Sequence, residues 1–122
     1  MKRADYGQTV IWKGQLYQVI DGHHKNDRLW YDLQNIFVKE VHSVVPSGEM
    51  QKLHVYMTNP ISLPHMTIPL NESVEVIRLQ MTLNEKTHAR EIIGAFVRWH
   101  GKRAYLKRNE FWLPEEVQEG VA

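Results

Sequence analysis

The sequence predicts a mainly β domain of the α+β class, with antiparallel hairpins forming a small barrel or sheet and one amphipathic helix near 84–94. Three observations predict it. The pattern Gly-x-x-Val-x-Trp-x-Gly occurs twice, at Gly7, Val10, Trp12 and Gly14 and again at Gly94, Val97, Trp99 and Gly101. Residues two apart share one face of a pleated strand, and Gly supplies the positive φ of a two-residue hairpin, so turns are expected at Lys13-Gly14 and His100-Gly101. Residues 77–83 alternate strictly, with Ile77, Leu79, Met81 and Leu83 on one face and Arg78, Gln80 and Thr82 on the other. Ala89, Ile92, Ile93, Phe96 and Val97 recur at helical spacing behind Asn84, a residue type that caps helices.

Taken in chain order, residues 8–13 and 15–20 make the first hairpin, where Leu16, Gln18 and Ile20 alternate with Gln15, Tyr17 and Val19. Residues 21–27 (Asp-Gly-His-His-Lys-Asn-Asp) read as a polar loop, and 28–33 as a third strand rich in aromatics. β character resumes over 37–45 and stops at Pro46-Ser47-Gly48. Residues 52–57 read as a strand, after which Pro60, Pro64 and Pro69 exclude a central strand or helix and leave 59–69 as a connector. After the 74–83 strand, the expected helix ends at Gly94 and hands the chain to a second hairpin, 96–99 with 102–107. Phe111 to Pro114 closes the domain ahead of an acidic tail with Glu115, Glu116 and Glu119. The expected core is Val10, Leu16, Ile20, Leu33, Val55, Ile77, Leu79, Ile92, Ile93 and Phe96.

The length of 122 residues suits a single domain, 1–122. Within it, a barrel-like part at 7–50 and a strand-helix-hairpin part at 70–114 are joined by the Pro-rich connector 59–69. Hydrophobic residues at 43% and charged residues at 24% suffice for a packed core. The chain has no Cys, which removes disulfides, thiolate metal sites and thiol nucleophiles and fits a reducing compartment. No stretch has signal-peptide or membrane-span length, so the expected location is cytoplasmic, away from membranes. The formal net charge of +1 argues against a dedicated DNA-coating protein. Its distribution is uneven: Arg90, Arg98, Lys102, Arg103, Lys107 and Arg108 face the lone acid Glu91 over 90–108, and Glu110 then begins the acidic end.

The strand, bend and strand of residues 7–46, opening at Gly7-x-x-Val10-x-Trp12-x-Gly14 and ending at Val44-Val45-Pro46, resembles the small barrels of the Tudor and KOW kind. The resemblance implies that an aromatic cage or the loops bind methylated side chains or nucleic acid. It makes Trp12, Tyr17, Trp30 and Tyr31 candidate contacts.

Metal and catalytic chemistry find little footing. His23-His24 with Asp21 and Asp27 is the densest histidine cluster, yet adjacent residues on extended chain point opposite ways, and there is no His-x-x-x-His pair on a helix. His42, His54, His65, His88 and His100 are scattered. No Gly-rich phosphate loop, nucleophile elbow or spaced carboxylate pair is present, so no catalytic residue, metal or cofactor is assigned and the chain is expected not to be an enzyme.

The functional hint is the second hairpin. Arg98, His100, Lys102, Arg103, Lys107 and Arg108 interleave with Trp99, Tyr105, Phe111 and Trp112, offering charge for phosphates and π faces for bases, or Arg and aromatic anchors for a protein groove. Strand alternation would alternatively turn these aromatics into the core and leave the cations in solvent. The function expected first is non-catalytic occupation of a protein partner's surface, in the manner of small phage or mobile-element inhibitors and adaptors. The alternative is a nucleic-acid-binding module built on 96–112.

Overall fold

The computed structural model describes residues 4–117 and is mainly β, 62% strand and 5% helical, with antiparallel sheets curled into a half-barrel. The first sheet takes β1 (Thr9–Trp12), β2 (Gln15–Lys25), β3 (Arg28–Asn35), β4 (Val41–Pro46) and β5 (Met50–Lys52) in the order β4-β3-β2-β1-β5. A 3₁₀ turn, Ser47–Glu49, returns the chain from β4 to β5 beside β1. The second sheet takes β6 (His54–Met57), β9 (Ser73–Leu83), β10 (Arg90–Trp99), β11 (Lys102–Lys107) and β12 (Phe111–Trp112) in the order β11-β10-β9-β6-β12. The Pro-rich connector folds into a separate small hairpin, β7 (Ile61–Leu63) with β8 (Met66–Ile68), outside both large sheets.

Both expected hairpin turns form, with φ of 51° and 74° at Lys13 and Gly14 and 50° and 76° at His100 and Gly101. Trp12 pairs with Gln15 across the first and Trp99 with Lys102 across the second, so each Trp occupies the last rung before its turn. Residues 21–25, expected as loop, instead continue β2 and pair with β3 as far as Lys25 opposite Arg28. A third two-residue turn closes this hairpin at Asn26 and Asp27, both at positive φ, a conformation their short polar side chains tolerate.

The two sheets meet at Leu53, which has no exposed surface and whose carbonyl accepts a hydrogen bond from the Val76 amide at 2.8 Å. A second tie runs from the Leu79 amide to the buried hydroxyl of Thr9, 3.1 Å. Ile11 and its partner Leu16 face the larger core with Val55, Val76, Val97, Leu106 and Phe111. Val10 and its partner Tyr17 join Trp12, Val19, Tyr31, Leu33 and Met50 in a second core. The first hairpin is therefore buried on both faces, which explains why all four residues of β1 are inside.

The amphipathic helix at 84–94 does not form: among the described residues no helix reaches seven residues. Asn84 does cap, but it caps a hairpin loop. Its side-chain oxygen accepts the amides of Lys86 and Thr87, and its carbonyl accepts that of His88. The residues beyond are β10, whose register against β9 is interrupted by β-bulges. The β9–β10 register skips Ile93 between Ile92 and Gly94, and skips Ile77 between Val76 and Arg78. The extra residue Ile93 moves the inward face of β10 by one, so Ile92, Ala95 and Val97 are buried, while Ile93 and Phe96 of the expected stripe face outward.

The same device corrects the expected core. Ile20 is the extra residue of a third bulge, between Val19 and Asp21, and is 44% exposed. Ile93 is 43% exposed and Ile77 is half-buried. Phe96 lies on the outer face of β10 opposite Arg78 and Tyr105 and is also only half-buried. Val10, Leu16, Leu33, Val55, Leu79 and Ile92 are core as expected.

Candidate functional site

The candidate residues of the second hairpin do not form one stripe. Trp99 turns inward against the larger core, with the exposed His100 ring edge-on at 4.1 Å. Lys102 donates through Nζ to the His65 carbonyl at 2.9 Å, and His65 Nε2 lies 2.8 Å from the Arg103 carbonyl, so the β7–β8 hairpin is clasped to the edge of β11. Arg98 is ion-paired with Glu75 at 3.5 Å, and Glu75 also holds Lys52 at 3.4 Å. The Arg108 guanidinium donates to the Phe111 carbonyl at 3.0 Å and covers the Phe111 ring. Lys107 begins the second 3₁₀ turn, where its amide donates to Glu110 Oε1. Several of these cations thus have structural partners.

Two surfaces remain. On the outer face of the second sheet, register places Arg78, Phe96 and Tyr105 in one row across β9, β10 and β11, with Glu75, Arg98 and Arg103 in another. Directly opposed residues on antiparallel strands point the same way, so the aromatic rings and the cations share this face. Tyr105 is 42% exposed, its ring centroid 4.9 Å from that of Phe96, and the Arg78 guanidinium lies over the other side of Phe96 at 5.1 Å.

The second surface is at β12. Alternation on this two-residue strand buries Phe111 and turns Trp112 outward, where 67% of its surface is exposed. Tyr56, directly opposite on β6, is exposed too, as is nearby Leu70. These three line a depression of about 640 Å³ with Thr58, Pro114 and the acids Glu115 and Glu116. Thr58 positions it by donating its amide to the Glu110 carbonyl and its hydroxyl to the Asn109 carbonyl. Tyr56 and Leu70 escape sequence reasoning because they sit far from 96–112 in the chain; only the strand pairing brings them to Trp112. The tail residue Glu119 lies outside the described residues.

The aromatics singled out by the barrel resemblance do not make an open cage. Trp12, Tyr17 and Tyr31 are buried, Trp30 is half-buried, and Trp12, Tyr17 and His42 pack edge-to-face with ring centroids 4.9, 5.4 and 5.5 Å apart. The histidine cluster is also redrawn. His23 and His24 point opposite ways on β2, and His23 Nε2 meets Asp32 Oδ2 at 3.0 Å and Asp21 Oδ2 at 3.9 Å. Asp32, on β3, replaces the expected Asp27. The hydrogen bond to Asp32 raises the His23 pKa above its ordinary value, and that bond, with the Val44 amide on the other oxygen, lowers Asp32. Among the described residues these three are the group whose ligand atoms lie close enough to hold a metal, all within 4.8 Å. Within the group, His23 Nε2 is hydrogen-bonded to Asp32, while Asp21 stands at ion-pair distance only.

No family model, no curated protein and no solved structure matches this chain. Among the described residues no helix is long and apolar enough to cross a membrane.

Proposed function

We propose that this is a non-catalytic binding protein that holds a protein partner through the aromatic patch at β12. The observation that carries the reading is the exposure of Trp112, 67%, beside the paired and exposed Tyr56. A lone exposed apolar residue is ordinary, but Trp, Tyr and Leu contiguous over one depression mark an interaction surface, and Trp and Tyr dominate binding hot spots. Glu115 and Glu116 on the rim favour a partner that presents an apolar anchor flanked by Lys or Arg.

The cations of the second hairpin support this ranking over nucleic acid held along 96–112 as a whole. Arg98, Lys102 and Arg108 have partners within the fold, and Trp112 stands beside acids rather than among the cations.

Selection from a random peptide library on the full chain tests the reading. The enriched peptides are expected to pair an aromatic or aliphatic residue with Lys or Arg and to lose binding to Trp112→Ala. Enrichment indifferent to Trp112, or acidic consensus peptides, would overturn it.

A further inference from the structure

The outer face of the second sheet has chemistry that a protein-binding patch at β12 leaves unused. A groove of about 490 Å³ runs there between Tyr6 and Gly7 on one side and Arg78, Phe96, Arg103 and Tyr105 on the other. That volume falls in the range of small-molecule sites. Three features select its occupant. The exposed face of Tyr105 is a flat platform, because the ring lies down over Gly94, which has no side chain to lift it. Phe96 stands beside it, tilted by 58°, and carries the Arg78 guanidinium over its own ring at 5.1 Å, which holds that cation at the groove. Arg78 and Arg103 have no carboxylate partner among the described residues, whereas neighbouring Arg98 is neutralised by Glu75.

Two unneutralised guanidinium groups call for an anion with several oxygens, and an aromatic floor calls for a flat π system. A simple anion would leave the platform empty, and an uncharged aromatic would leave the guanidinium groups unmatched. We propose that this groove binds a nucleotide unit, its base on the exposed face of Tyr105 with Phe96 at its edge and its phosphate at Arg78 and Arg103. The unit comes either free or as part of a single strand, since both present the same base and phosphate. Arg103 and Tyr105 were candidates from sequence, while Arg78 and Phe96 join them only through the register of β9, β10 and β11, and Tyr6 comes from the turn ahead of β1.

Calorimetric titration of the full chain with adenosine monophosphate, adenosine, inorganic phosphate and a ten-residue oligo-dA tests the assignment. Adenosine monophosphate should bind at least tenfold more tightly than adenosine or phosphate. Arg78→Glu and Arg103→Glu, both at exposed positions, should each weaken binding tenfold or more while unchanged melting shows an intact fold. Lys86→Glu, in the 84–89 loop, should bind as the parent does. Oligo-dA binding tenfold tighter than the monophosphate assigns the unit to a strand; equal affinity assigns it to a free nucleotide. Phosphate binding as tightly as the monophosphate, loss of neither variant's affinity, or no binding by any nucleotide overturns the proposal. Peptide capture at Trp112 does not report on this groove, so the two readings fail separately.

Discussion

The ring of Tyr105 occupies the space above Gly94 where a side chain would stand, reaching diagonally across from β11 to β10. A Cβ at Gly94 would collide with the tyrosine hydroxyl and ring and come within 2.7 Å of the Leu106 carbonyl. The glycine is required for space, and the aromatic in turn covers a strand position that would otherwise pack against nothing. Gly94→Ala should therefore destabilise the fold by about 1–3 kcal/mol, the ordinary cost of overpacking. Urea unfolding measures it, and a change under about 0.5 kcal/mol would show that the ring moves aside freely.

Neighbouring isoleucines should behave oppositely. Ile92 is buried in the larger core, and Ile92→Ala should cost about 2–5 kcal/mol. Ile93 is the extra residue of the bulge and points outward, so Ile93→Ala should stay within about 0.5 kcal/mol of the parent. Equal losses at the two sites in denaturant titrations would contradict the register.

These isoleucines also show what the sequence could convey. The turns at Lys13-Gly14 and His100-Gly101 were legible because a two-residue turn has a local chemical requirement that Gly meets. Asn26-Asp27 satisfies the same geometry without Gly, and the histidine-rich stretch before it reads as loop because its side chains are polar on both faces. Bulges leave no such local mark: Ile20, Ile77 and Ile93 fit an unbroken pattern, and only the partner strand reveals that one residue is extra. The helix at 84–94 failed for that reason. The site divides likewise: Tyr105, Arg103 and Trp112 were visible in one segment, but the strand pairing that joins Trp112 to Tyr56 and Tyr105 to Arg78 is long-range.

Val44 offers a test of strain. It has φ of 57°, unfavourable for a β-branched residue, and is held there by its amide N–H, which donates to Asp32 Oδ1 at 2.8 Å, in a bulge of β4. The side chain is largely exposed, so little packing is at stake. The left-handed conformation costs about 1–2 kcal/mol, against about 0.5–1 kcal/mol of extra chain entropy for glycine. Val44→Gly should accordingly raise the thermal midpoint, and a lowered midpoint would refute the strain.

The His23–Asp32 pair sets a pH window. The His23 pKa is raised from 6.5, so its contribution is complete below that value and fades as pH rises through the raised pKa. The Asp32 pKa is lowered from 3.8, so its contribution is complete above that value and fades as pH falls through the lowered pKa. His23→Gln should thus lower the melting temperature most between about pH 4 and 6.5, with the gap to the parent narrowing toward pH 9. A gap that is constant across pH would mean the pair does not titrate as bonded.

The most direct test of the Trp112 patch is quantitative affinity capture from a nuclease-treated cell extract with three baits: the parent chain, Trp112→Ala and Arg103→Glu. Trp112 is exposed, so its truncation should leave the melting temperature nearly unchanged, and that must be measured first. A protein that resists nuclease, is retained by Arg103→Glu and falls by roughly thirtyfold or more with Trp112→Ala, the equivalent of about 2 kcal/mol at one anchor, is the predicted result. Capture that survives Trp112→Ala, or that disappears with nuclease, would contradict the account.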